Sequence, residues 1–348
     1  MRNVFQYWLF AGVVAVAGAL ASVARAADDA ETFYPGKTIT FYIGAAPGAA
    51  YDLVGRAVAT HIGRHIPGGP SVVVQNMPGA GSLIMINHLY NRAPRDGTAL
   101  GLPLNGVLLE QRLKLYESGG GAVRFDLTKM AWIGSPAEEP QVMWVWHTSP
   151  IKTFQDLRLT EATLGATSPT ADNFLTPRLA QRLLGGKIKL ISGYKAVNDI
   201  FMAAERGEVS GNSTPLAAIM LGKQDDFRSG KIRVLAQFGT TRLGRLPDVP
   251  TGIELAPDGE TRSLLEFWAL KFRAAYPIAA PPETPPHRIE ALRAAFDATM
   301  KDENFKSFAA RAGLELSPVS GRAIDEIVSK IEATNDVRVA KIREALSQ

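Results

Sequence analysis

The stretch Thr38-Ile39-Thr40-Phe41-Tyr42-Ile43-Gly44-Ala45-Ala46-Pro47-Gly48-Ala49-Ala50-Tyr51-Asp52 decides the fold. Its first six residues alternate, with Ile39, Phe41 and Ile43 on one face, the period of a strand. Gly44 to Ala50 are small residues and a proline, and they end it. From Tyr51 the pattern turns helical, with Val54, Val58 and Ile62 spaced by four, and it closes at Pro67-Gly68-Gly69. Strand, small-residue loop, helix is the unit from which layered α/β domains are built.

The same unit recurs downstream. Ser71 to Val74 reads as a β-branched strand, Pro78-Gly79-Ala80-Gly81 as a turn, Leu83 to Asn91 as a helix and Ala99 to Leu102 as a strand. A Gly-rich loop follows at Gly119 to Gly121. Val142 to His147 is apolar on both faces, which suits a buried central strand. Thr163 to Thr167 is again a strand, Ser168 to Asn173 a loop and Phe174 to Leu184 a helix ended by Gly185-Gly186. Lys187 to Ser192 and the helix Val197 to Arg206 follow. The stretch Asn212-Ser213-Thr214-Pro215 reads as a loop before a helix from Leu216, and Ile232 to Gln237 as a strand. Two helical stripes in the tail, Ile289/Leu292/Phe296/Met300 and Ile324/Ile327/Val328/Ile331, read as core faces packing on the first half. Alternating strands and helices predict an α/β fold with mostly parallel sheets, and the length predicts two domains.

At the N-terminus, Arg2, the uncharged apolar run Trp8 to Ala21 and Ala24-Arg25-Ala26 have the form of a signal peptide. Residues 1–26 are expected to be removed after Ala26, leaving 27–33 as a disordered lead-in and the protein in the periplasm. Losing Arg2 and Arg25 lowers the formal charge from +4 to +2. Lys and Arg are scattered, without the clustered basic footprint of nucleic-acid binding, so no nucleic-acid partner is expected. There is no cysteine, which excludes disulfides, thiolate catalysis and a lipoprotein anchor.

Candidate chemistry lies in two loops. In open α/β sheets, ligands sit beyond the carboxyl ends of strands, where loops run into helix N-termini. Pro47 to Tyr51 is such a loop, small enough to let a ligand approach the backbone and followed by the positive end of a helix. The bland alternative is a tight turn. Thr167 to Asn173 has the same position in the second half and adds the hydroxyls of Thr167, Ser168 and Thr170. Other signals carry less. Gly79-Ala80-Gly81 lacks the third glycine of a dinucleotide fingerprint. His61 and His65 stand four apart without a third ligand, and no metal or cofactor is expected. Glu138-Glu139 and Asp225-Asp226 read as solvated pairs. No Gly-x-Ser-x-Gly elbow occurs, so a secreted hydrolase is the weaker alternative and no enzyme is expected.

Tyr34-Pro35-Gly36-Lys37, Pro47-Gly48 with Asp52, Gln75-Asn76-Met77-Pro78-Gly79-Ala80-Gly81, Ala93 to Thr98, Gly193-Tyr194-Lys195 and Leu246-Pro247-Asp248-Val249-Pro250-Thr251 resemble the Bug family. These are the extracytoplasmic receptors of tripartite tricarboxylate transporters. The resemblance runs from about Tyr34 to the C-terminus. It implies a type II periplasmic-binding-protein fold, with one lobe of 34–137 plus 253–348 and another of 138–252. It implies a monomer that delivers a small organic anion, a carboxylate, to membrane permease subunits. A role as ligand-sensing partner of a membrane signalling protein is the alternative. The implied ligand contacts are Pro47, Gly48, Ala49, Ala50, Tyr51 and Asp52 from one lobe. Thr167, Ser168, Thr170, Asp172, Asn173 and Tyr194 face them from the other. Family members often carry glycines and then Ser or Thr before the Asp. Here Ala49-Ala50-Tyr51 stands instead, and a phenol there would narrow the pocket or stack on a ring. That sets the site apart from a citrate-like one and leaves aromatic and longer acids open.

Overall fold

Strand β1 (Thr38–Ile43) forms where the alternation predicts it and pairs in parallel with β2 (Ser71–Asn76) and β3 (Ala99–Leu102). The computed structural model describes residues 30–115 and 122–347. The expected signal peptide and the Gly119–Gly121 loop lie outside the described residues. Of the lead-in, residues 30–33 are described and make a helical turn instead of lacking structure. Ala30 is fully buried and Phe33 lies under the Arg288 guanidinium, so this short segment has packing to hold it.

Two sheets result. The first has the order β11-β4-β10-β3-β1-β2, with β4 at Ala131–Ser135, β10 at Ile278–Ala280 and β11 at Val319–Ser320. The second has the order β7-β6-β8-β5-β9, with β5 at Gln141–Trp146, β6 at Ala162–Ala166, β7 at Ile188–Ser192, β8 at Gly211–Pro215 and β9 at Ile232–Phe238. The fold is α/β and two-sheeted, but mostly parallel ladders are not what forms. β10 is inserted antiparallel between β3 and β4, and β5 antiparallel between β8 and β9. Each inserted strand is the first its sheet receives after the chain crosses from the other.

Helices α1 (Ala50–Ile62), α2 (Leu83–Asn91) and α3 (Val107–Leu113) follow β1, β2 and β3. In the second half come α4 (Phe154–Leu159), α5 (Asp172–Leu184), α6 (Val197–Glu205), α7 (Leu216–Gly222) and α8 (Gln224–Arg228). After β9 the chain makes α9 (Gly259–Ala269), and after β10 it makes α10 (Pro286–Lys301), α11 (Glu303–Arg311), α12 (Gly321–Glu332) and α13 (Asp336–Leu346). No helix among the described residues is long and apolar enough to cross a membrane.

The apolar faces fall where the periodicity puts them. On β5, Val142, Trp144 and Trp146 join one core cluster, and Met143 and Val145 join another on the opposite face. Phe296 of α10 packs so closely on Gly134 of β4 that a Cβ there would lie 2.3 Å from its ring. The Ile324/Ile327/Val328/Ile331 stripe of α12 is buried over β4. The last helix does something the stripes do not predict: α13 packs on both α3 and α5, which belong with different sheets.

One reading at the element level is overturned. Asn212 to Thr214 is not a loop but the body of β8, fully buried between β5 and β6. Polar residues in a central strand carry no hydrophobic alternation, so periodicity cannot find them.

Candidate functional site

The carboxyl ends of β1, β3, β6 and β8 converge on a cavity of about 330 Å³ between the two sheets. Its wall is built from Tyr51 at the start of α1, Gly81 just before α2, Leu104 to Gly106 after β3, and Ser168 with Thr170 to Asn173 after β6. Val197 at the start of α6 and Ser213, Thr214 and Pro215 of β8 complete the second side. Glu139 and Gln141 line it where the chain crosses between sheets.

Neither α1 nor α5 has a side-chain cap at its N-terminus: the capping positions are Ala49 and Ala171. The first N–H groups of each helix and the positive end of its dipole are thus left for other partners. Buried polar groups normally find hydrogen bonds. Yet Ser213 Oγ and Thr214 Oγ1 have no partner, nor does Gln141 Oε1. Hydroxyls sealed beside a cavity in this way are suited to a bound polar molecule.

The two predicted loops differ in what they contribute. Tyr51 reaches the cavity, but Pro47, Gly48, Ala49, Ala50 and Asp52 do not line it. Asp52 is buried and accepts hydrogen bonds from the Gly48 N–H (2.8 Å), Arg56 Nε (3.0 Å) and Asn76 Nδ2 (2.7 Å). Burial opposes its ionisation, but these donors outweigh it and hold its pKa below the ordinary range. The Gly48 N–H is therefore spent inside the chain, and the glycine is needed for its φ of +81°. The loop is a rigid mount for Tyr51. The Tyr51 hydroxyl accepts from the Asn105 N–H at 3.2 Å, and its ring lies 4.9 Å from that of Tyr276. The predicted narrowing phenol is present, its ring tilted at 53° to that of Tyr276.

In the second loop, Asn173 accepts from the N–H and hydroxyl of Thr167, both at 3.2 Å, and so closes the turn. Ser168 and Thr170 stand 3.3 Å apart on the cavity wall, while Thr167 lies behind it. Asp172 pairs with Lys271, which is buried with its ammonium 3.4 Å from the centre of the Trp268 ring. Tyr194 is not on the wall; its ring packs against Gly165 of β6.

Glu139, read from the sequence as solvated, is instead a wall residue held by the Tyr276 hydroxyl at 2.7 Å. Burial pushes its pKa up to about 6, against that hydrogen bond. Two adjacent acids carry no pattern that distinguishes a partly buried one. Only the tertiary pairing of 135–139 with 272–276 puts Glu139 inside. His61 and His65 are far from this: His61 Nδ1 contacts Ala57 O at 2.7 Å, and His65 Nε2 contacts Asp302 at 3.0 Å.

A larger cavity of about 700 Å³ opens on the other side of the crossing segments, between α7, the 239–245 loop and residues 310–317. It runs along α7 from Leu216 to Leu221, meets the C-terminal end of α11 at Ala310 and Arg311, and is lined by Arg242, Arg245 and Arg273 as well.

Comparison with known proteins bears on the fold and the family. A relative from Agrobacterium vitis, the UPF0065 protein in the TAR-I ttuE-ttuC' intergenic region, is 27% identical over 308 residues, covering 84% of this chain and 79% of that protein. MatC from Rhodopseudomonas palustris with bound malate superposes with a TM-score of 0.62 at 16% identity, over 90% of this chain and all of that one. Rpa4515 of the same organism, with adipate, gives 0.64 at 20% identity over 90% and 98%. Residues 54–335 match the model of the tripartite tricarboxylate transporter family receptors, and the chain belongs to that family.

Proposed function

We propose that this protein is a periplasmic receptor that captures a small organic carboxylate in the 330 Å³ cavity and delivers it to the permease subunits of a tripartite transporter. The observation that carries this reading is the pairing of uncapped starts of α1 and α5 with the unpartnered buried hydroxyls of Ser213 and Thr214 around one cavity. Such a wall offers hydrogen-bond donors to an anion without a free basic side chain. The size suits a small ligand, since pockets for small molecules start at about 300 Å³. Malate in MatC and adipate in Rpa4515 are carboxylates held by the same fold. Tyr51, Ser168, Thr170, Asp172 and Asn173 are the contacts we assign among the residues named from sequence, with the 47–52 loop and Thr167 supporting them. The lobes we assign are 34–137 plus 253–348 and 138–252. The protein acts as a monomer that binds without turnover.

The test begins with protein from a periplasmic extract. Its intact mass should place the N-terminus at Ala27, and full-length chain in the membrane pellet would sink that assignment. A thermal-shift screen of dicarboxylates, amino acids, aromatic acids and neutral amides follows. At ligand near 100 times Kd, binding stabilises by ~2.7 kcal/mol. That corresponds to a rise in Tm of roughly 5–11 °C at ~2–4 °C per kcal/mol. A rise with neutral amides alone would overturn the carboxylate reading.

A further inference from the structure

The 700 Å³ cavity behind the crossing segments has more than twice the volume of the one at the strand ends, and falls in the ~300–1,000 Å³ range of small-molecule sites. Much of its wall is apolar. Leu216, Met220 and Leu221 come from α7, and Phe272, Leu314 and Leu316 from segments that belong with the first sheet. One edge is closed where Gly313 meets α7: a Cβ there would stand 3.5 Å from Leu221 Cβ and 3.6 Å from Ala217 O. Leu221 itself is 62% exposed, so part of this apolar surface is open to solvent.

Four arginines stand on the same wall, and they are not equally engaged. Arg242 holds both carboxylate oxygens of Glu254, at 3.0 and 3.1 Å, and donates to the Pro247 carbonyl. Arg245 meets Glu315 at 3.1 Å with both side chains more than half exposed, a pairing worth little in water. Arg273 lies 3.9 Å from Glu138. Arg311, in the last turn of α11, makes no side-chain hydrogen bond or ion pair among the described residues. The remaining acid of the wall, Glu139, is turned to the Tyr276 hydroxyl at 2.7 Å. Each acid on the wall thus has a partner of its own, and one guanidinium is left over, directly before Gly313 and Leu314.

A guanidinium without an acid suits a carboxylate, which it can take through two parallel hydrogen bonds. The leucines and Met220 suit an apolar body that leaves water to cover them. A second carboxylate on the same molecule would be set against Glu138, Glu139 and Glu315, and like charges repel. We propose that this cavity is a second binding site, for a monocarboxylate with an apolar body whose carboxylate pairs with Arg311. The site is separate from the 330 Å³ cavity and does not depend on the receptor reading.

Titration calorimetry with octanoate at pH 7.5 tests it, with acetate and octan-1-ol as probes that each lack one half of the molecule. Octanoate should bind once per chain and at least tenfold more tightly than either. Arg311→Gln removes the cation and Ala217→Phe puts a ring into the cavity; each should weaken octanoate at least tenfold. Thr214→Val, in the other cavity, should leave octanoate binding unchanged. Arg311 is exposed, so Arg311→Gln reads the site even if Ala217→Phe fails to fold. Octanoate that binds no better than acetate would overturn the site, and octan-1-ol that binds as tightly would overturn the ligand class. Octanoate binding lost in Thr214→Val and kept in Arg311→Gln would place the molecule in the 330 Å³ cavity, ending this inference while leaving the receptor reading in place.

Discussion

Glu139 has a cost that can be measured without any ligand. Its pKa stands at about 6 in the folded protein against an ordinary 4.5, because burial beside Tyr51 and Tyr276 disfavours the charge. The Asp172–Lys271 and Glu138–Arg273 pairs next to it are each internally neutral. Between these two values the folded state holds a proton that the unfolded state has lost. Stability from this group is therefore present at low pH and lost as pH rises through 6, amounting to about 2 kcal/mol above it. Glu139→Gln removes the ionisation. It should stabilise the ligand-free protein by up to that amount at pH 7.5 and lose the advantage at pH 4.5, where Glu139 is protonated. Urea unfolding at the two pH values checks this; equal gains at both would show that Glu139 ionises freely. Tyr51 and Glu139 also mark the limit of sequence reading at this scale. Tyr51 was legible because it follows a strand and a small-residue loop, so its place at a helix start was fixed by local pattern. Glu139 was not, because its burial depends on Tyr276, far along the chain.

At the scale of elements, β4, β10, β11 and the helices α3, α4 and α9 were not read from the sequence, while the helices and apolar strands that were read lie within a residue or two of their places because each shows its period locally. The start of α5 and the crossing of β5 through two core faces are examples. β8 was illegible because Gly211, Asn212, Ser213 and Thr214 have no apolar period, yet they fill the centre of the second sheet. A polar strand in that position is a local conflict with foldability, and such conflicts concentrate at functional sites. The conflict predicts a separation of effects. Thr214 is 1% exposed and its hydroxyl is unpartnered, so Thr214→Val replaces a buried unsatisfied group by an apolar one of the same shape. That exchange is close to neutral or stabilising in a protein. The ligand-free Tm should hold or rise, while affinity for the best ligand of the screen falls at least tenfold, ~1.4 kcal/mol. Melting curves with and without ligand read both quantities. A lower Tm with unchanged affinity would make Thr214 an ordinary core residue and move the donor wall elsewhere.

The whole molecule has two sheets but not two separate cores. One continuous cluster of buried side chains takes in Trp132 of β4 and Ile327 of α12, then Met143 and Val145 of β5 and Leu179 of α5. Trp268 joins the sides directly: its Nε1 donates to Thr176 of α5 at 3.3 Å, and Lys271 reaches from the same segment to Asp172. α13 adds a third tie by packing on α3 and α5 together. Lobes that share this much buried surface cannot lose one core and keep the other. Breaking the Lys271 pair alone would strand a buried charge, which costs about 3–5 kcal/mol. Unfolding without ligand should therefore be a single cooperative transition, although chains of this size often unfold domain by domain. The tryptophans make the test internal, with Trp132 and Trp268 on one side and Trp144 and Trp146 on the other. In urea, tryptophan fluorescence and far-ultraviolet circular dichroism should give one coincident midpoint. Variants with the tryptophans of one side replaced by Phe should report the same midpoint from the side that remains, once each variant's own change in stability is subtracted. Two resolved transitions, one per pair, would show that the shared cluster does not couple the lobes, and would make ligand binding rather than packing the force that joins them.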